Sequence, residues 1–253
     1  VQLYTSTQRL GSSIEQDDQS SGGQMLALCL FLLAARARCL APSRWASRRA
    51  AIAAAGGVKS DVTFEEAQDV GETLLEAFLL QDRNGTPLPS NTAEDLDALL
   101  ATTSGARGWF VLLLTDPVYA PLFSKALSPA LLEPLEKHAE VNVRLMTMNV
   151  AMSTAMAVAH ARNGDSDMAS ASTLTSDRSV AVVEALMDRQ LTPTLRPALR
   201  DLLNTAAFDA DDDDGNTGVD ADWVAFLDRW GYDATQRNAI AAVLARMLNG
   251  IRS

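Results

Sequence analysis

From residue 62 onward, apolar positions recur three and four apart in one segment after another. That spacing belongs to helices that bury one face. Thr63-Phe64-Glu65-Glu66 reads as a capping box, with Thr63 as N-cap, and Ala67, Val70, Leu74 and Phe78 follow on one stripe. Asn84-Gly85 and Pro87/Pro89 end that helix, and Thr92 with Asp95 starts a second one carrying Leu96, Leu99 and Leu100. Ser104-Gly105 interrupts the pattern before ARGWFVLLLTDP, whose apolar run from Trp109 to Leu114 reads as helix because no partner strand is in sight. Asp165 to Ser172 reads as a polar loop before a helix holding Val180, Val183 and Met187. Thr192-Pro193 opens a helix with Leu195, Leu199, Leu202 and Leu203. Trp223, Phe226, Leu227 and Trp230 mark a further helix that Gly231 stops. Asp233 with Gln236 caps the last helix, whose stripe is Ile240, Val243, Leu244, Met247, Leu248 and Ile251. No alternating strand pattern occurs, so the expected fold is all-α.

The longest helical signal is PLEKHAEVNVRLMTMNVAMSTAMAVAHAR, from Pro134 to Arg162. Pro134 suits a first helical turn, and Asn163-Gly164 suits a stop. No charge falls between Arg144 and Arg162. The uncharged run sits at the lower edge of the roughly 17–25 residues that cross a bilayer, and it contains Thr147, Asn149, Ser153, Thr154 and His160. It therefore reads as the buried central helix of a single-domain bundle. At 100° per residue Asn142, Asn149, Ser153 and His160 share one narrow stripe. Asn149, Ser153 and His160 could line a ligand cavity, with His160 as an axial ligand to a metal or tetrapyrrole. Equally, the stripe could bond to neighbouring helix ends, as buried polar groups normally do. Met146, Met148, Met152 and Met156 offer either an adaptable binding surface or core packing.

Ahead of this domain, expected over residues 61–253, the pattern changes. Residues 1–24 are polar and aperiodic. From Met25, MLALCLFLLAARARCLA has the length and composition of a secretory signal peptide. PSRWASRRAAIAAAGG follows, rich in Arg, Ser and Ala and free of acids, which is transit-peptide composition. Together residues 25–57 resemble the bipartite presequence of plastids entered through the secretory route. Arg48-Arg49 before AAIAAAGG also resembles a twin-arginine thylakoid signal, with a short apolar part. Cys29 and Cys39 both fall in this leader, so the processed domain would have no disulfide, thiol nucleophile or zinc-cysteine site.

Charge narrows the partners. The chain carries 32 acids against 21 bases, a net −11. Seven of the bases but only Glu15, Asp17 and Asp18 precede residue 61, so the domain is more acidic still. That balance argues against nucleic acid and anionic membrane surfaces and favours a protein partner.

Candidate chemistry is sparse. DADDDDGNTGVDAD (209–222) invites a cation, but neither glycine register meets the EF-hand pattern. Asp211, Asp212, Asp213 and Asp214 remain candidates for a looser calcium or magnesium site, against a solvated acidic loop. His138 and His160 are the domain's only imidazoles and lie twenty-two residues apart on the expected helix, about 33 Å. No GxSxG, phosphate-binding glycine loop or HExxH occurs.

ARGWFVLLLTDP, NVAMSTAMAVAHARN and FLDRWGYDATQ together resemble an uncharacterised all-helical family of cyanobacteria and plastids, over about residues 62–250. The resemblance implies a photosynthetic compartment and brings no catalytic residues. The reading that follows is a non-enzymatic plastid protein, stromal or thylakoid-associated, acting through protein contacts in a photosystem-associated or assembly role. A binder of a small apolar ligand or pigment comes second, and an enzyme of unknown class third. N-terminal sequencing of the native protein is expected to start near residue 57; a start at or before residue 30 would contradict both the bipartite leader and the plastid assignment.

Overall fold

The computed structural model describes residues 58, 62–189, 191–207 and 219–250. The signal and transit segments, Cys29, Cys39, Asp211 to Asp214 and Ile251 lie outside them. Helix α1, Phe64–Asn84, begins as the capping box requires. Thr63 Oγ1 accepts from the Glu66 N–H at 3.2 Å, and Glu66 Oε2 accepts from the Thr63 N–H at 2.9 Å. It ends at Gly85, whose φ of 67° is the left-handed C-cap that glycine adopts without strain. Helices α2, Thr92–Leu100, and α3, Thr103–Thr115, follow, with Thr102 capping α3 through the Gly105 N–H. The break between them therefore falls at Ala101-Thr102. Ser104-Gly105, expected to interrupt the pattern, sits inside the first turn of α3.

Close approach of α1 to α3 depends on small residues. A Cβ at Gly108 would lie 2.6 Å from Ala67 Cβ and 3.1 Å from the Phe64 carbonyl oxygen, so backbone would have to move. Gly71, facing it from α1, leaves room for Leu112 and Trp109. Trp109 is completely buried there with Leu75, Leu99 and Leu113.

After α3 a 3₁₀ turn, Pro117–Phe123, is capped by Asp116 Oδ1 on the Val118 N–H. Helix α4 spans Pro129–Lys137 and α5 spans Ala139–Arg162. The single helix expected from Pro134 to Arg162 is thus two. Pro134 lies inside α4, which starts at Ser128-Pro129, and His138 breaks the path with φ −110° and ψ 49°. Two ties hold the break. His138 Nε2 lies 3.1 Å from Asp97 Oδ1 of α2. The Asn142 amide donates to the carbonyls of His138 (2.8 Å) and Leu100 (3.1 Å).

Helix α6 spans Ser166–Met187 and folds back on α5 through Asn163 and Gly164, φ 74°. The polar loop expected at 165–172 is helical from Ser166. Asp165 Oδ1 caps the Met168 N–H, and the hydroxyls of Ser170, Thr173 and Thr175 bond carbonyls four residues back, which hides their polarity inside the helix. Helices α7, Thr192–Ala207, α8, Ala221–Arg229, and α9, Ala234–Gly250, complete the chain. Asp220 caps α8. Asp233 and Gln236 reciprocally cap α9. The described residues contain no strand, and the fold is all-α.

Helix α5 packs against α3, α4, α6, α7 and α9, most extensively against α6. None of its residues from Leu145 to His160 is exposed. Buried apolar side chains form one continuous cluster from Val62 to Leu248. Among the described residues no single helix is long and apolar enough to cross a membrane; α2 and α3 pass only as a pair, bent by 114°.

Candidate functional site

Three groups of polar side chains stand out by burial or charge. The first is the stripe on α5. Asn142 is fully buried and joins α5 to the end of α2, as described above. Asn149 is half-buried. Ser153 is buried, and its hydroxyl donates back to the carbonyl of Asn149 at 2.5 Å, with Val150 O at 3.3 Å. His160 is buried in the last turn, two residues before Arg162, which is exposed and ion-paired to Asp233. Thr154, one position off the stripe, shares a 2.8 Å hydrogen bond with Ser176 of α6. The sequence pattern picked out Asn149, Ser153 and His160, but the side chain that crosses to α6 is Thr154. Methionines 146 and 156 are in the core, while Met148 and Met152 are half-buried against it. Among the described residues no group of three or more His, Cys, Asp or Glu side chains could hold a metal ion.

A second group surrounds the α4–α5 break. Asp97 of α2 receives Lys137 Nζ at 2.7 Å and faces His138 at 3.1 Å. Burial pushes its carboxyl up, but the hydrogen bonds and charge of Lys137 and His138 outweigh it and hold it below the usual carboxylate range. Arg189 clasps Glu136 of α4 through Nε at 2.5 Å and Nη2 at 3.1 Å. These pairs bind α2, α4 and the end of α6 together at the surface.

The third group is built on Arg178 of α6, which sequence periodicity did not single out. The residue is only 3% exposed. Nη1 donates to the carbonyls of Asp116 (2.7 Å), Leu113 (3.2 Å) and Leu114 (3.4 Å), and the cation lies 5.2 Å from the Phe123 ring centre. These carbonyls end α3. The Leu113 oxygen in particular meets Pro117 four residues on, which has no N–H to give. Arg178 supplies the missing donor, and its positive charge sits at the negative end of the α3 dipole. Burial draws its pKa down from the usual range while the Asp116 carboxylate opposes that shift.

Charge also gathers at the far end of the bundle. Helices α7 and α9 contain Arg196, Arg200, Arg237 and Arg246 against a single acid, Asp201. Between them runs an open groove of about 250 Å³. A second depression, of about 20 Å³ by Thr73 and Asp95, has room for about one water.

A family model described as "Uncharacterised conserved protein UCP020893" matches residues 63–247. No curated protein and no solved structure matches the chain.

Arg178→Met keeps the length of the side chain and removes every donor. It is expected to cost about 2–4 kcal/mol, since the Leu113 and Leu114 carbonyls lose their partner in the core, while the Asp116 carbonyl keeps the Tyr119 N–H. Arg178→Lys, with one donor centre, should cost less. Urea unfolding of the two variants checks this; a loss below about 0.5 kcal/mol for Arg178→Met would contradict the role.

Proposed function

The chain belongs to the uncharacterised conserved protein UCP020893 family, and from that premise we propose that it is a plastid helical protein acting by protein–protein contacts, in a photosystem-associated or assembly role. The observation that carries this reading is where the buried polar groups go. Asn142, Thr154, Arg178 and Gln236 each bond to a neighbouring helix or a helix end. Ser153 and Thr147 bond within their own helix. Polar side chains used in this way hold helices together, which leaves recognition to the outer faces. The acidic charge and the acid-free basic leader support a plastid protein that meets other proteins rather than nucleic acid.

Gentle lysis of the native source followed by size-exclusion chromatography tests the reading. The protein is expected to elute with complexes well above its own 27.1 kDa, and to follow thylakoid material on fractionation. Elution as a free monomer from every fraction would contradict it.

A further inference from the structure

The groove between α7 and α9 is lined by Arg196, Arg200, Leu203 and Asn204 from one helix and by Ala245, Leu248 and Asn249 from the other. Positions 196, 200, 203 and 204 follow the i, i+4, i+7, i+8 rule, so both guanidinium groups rise along one edge. The lining contains no acid. Arg200 is exposed and Arg196 half-buried, and neither is tied to a carboxylate among the described residues. Arg237 of the same face differs, since it is committed to Asp228 at 2.8 Å and the Tyr232 carbonyl at 3.0 Å. On a chain of net charge −11, the groove sets two cations one helical turn apart beside an apolar floor, with no acid in its lining.

We propose that this groove docks a short carboxylate-bearing peptide segment of a partner protein, Arg196 and Arg200 gripping its acids while an apolar side chain rests on Leu203, Ala245 and Leu248. The proposal rests on the protein-contact reading above and names the chemistry of the partner. Arginine matches carboxylate with a planar, two-pronged donor set. Asn204 and Asn249 can donate to and accept from a peptide backbone. About 250 Å³ falls below the roughly 300–1,000 Å³ of small-molecule pockets and gives room for a few side chains. A long polyanion such as nucleic acid, or an anionic bilayer, would bring many phosphates within roughly 8–10 Å of the acids that outnumber the bases of this chain, where repulsion is still felt. A short acidic segment presents its few charges to the arginines alone.

Selection of a phage-displayed random dodecapeptide library on the full chain, followed by fluorescence anisotropy with the enriched peptide, tests the proposal. Enriched peptides should carry two or more carboxylates around an apolar residue. Their binding should weaken about tenfold in Arg196→Gln/Arg200→Gln, a loss in line with two exposed charge pairs, and should also weaken as salt rises through roughly 0.1 M. Arg200 is exposed and Arg196 half-buried at the edge of the groove, so circular dichroism should show an unchanged fold. A second variant, Leu203→Asn at the half-buried wall of the groove, should weaken the peptide without altering the salt dependence or the circular dichroism spectrum. Peptides without acidic bias, or equal binding to the double arginine variant, would overturn the groove while leaving the protein-contact reading intact. Binding of single-stranded DNA or of phosphatidylglycerol vesicles through the same arginines, with no acidic peptide selected, would overturn it too. Monomeric elution of the native protein, by contrast, counts against the broader reading alone.

Discussion

Arg178 is only 3% exposed, and its Nη1 finds oxygen at the end of α3, whereas the buried Nη2 has no hydrogen-bond partner. Pro117 ends that helix and leaves the Leu113 and Leu114 carbonyls without amide partners, while that of Asp116 also accepts from the Tyr119 N–H. Only a side chain reaching in from another helix can satisfy them, and α6 brings it. The consequence is geometric. Once Nη1 spans Leu113, Leu114 and Asp116, the register of α6 against α3 is fixed, and the 3₁₀ turn is held with Phe123 against the cation. Helix α5 follows, because α6 folds back on it through the Asn163–Gly164 turn.

The α5–α6 pair is held in the same manner. Thr154 and Ser176 bond across the interface, with Ala151, Ala155 and Ser172 buried alongside. Small side chains let the helices approach, and the Thr154 and Ser176 hydroxyls partner each other, while the Ser172 hydroxyl is buried without a partner. Gln236 adds α9: its Nε2 donates to the Ala155 carbonyl at 3.1 Å while its Oε1 completes the α9 capping box. Asn142 adds α2. Four polar residues, Asn142, Thr154, Arg178 and Gln236, each bonding to another helix or helix end, thereby join α2, α3, α5, α6 and α9. Such bonds select one arrangement from the many that a Leu- and Ala-rich helical sequence could adopt. A core joined by bonds of fixed geometry makes a rigid support for an exposed basic face.

Fold class and most helix starts were legible from residues 62 onward because they rest on local chemistry. Thr63/Glu66, Asp233/Gln236 and the stops at Gly85, Gly164 and Gly231 are patterns a few residues long. The errors came where distant contacts decide. Pro134 looks like a helix start, but Asp97 and the Asn142 amide hold a break at His138. Residues 166–172 look like a loop because Ser and Thr favour turns, yet back-bonding hydroxyls and the Asp165 cap keep them helical. The stripe of Asn142, Asn149, Ser153 and His160 was visible from spacing alone. Thr154 and Arg178 were not, since nothing in a one-dimensional pattern marks which serine or carbonyl another helix will offer. Arg196 and Arg200 carried a local signal, two arginines four apart in an acidic chain, which the leucine stripe of the same helix obscured.

Joined by its buried polar side chains, the interior behaves as one unit. Native-state hydrogen exchange resolved along Ala139–Arg162 and Ser166–Met187 tests it most directly. If Thr154, Arg178 and Gln236 bind the helices as described, interior amides of both helices should exchange only by global unfolding, with the free energy that urea unfolding gives. Exchange of either helix through a separate opening, several kcal/mol below the global value, would contradict it.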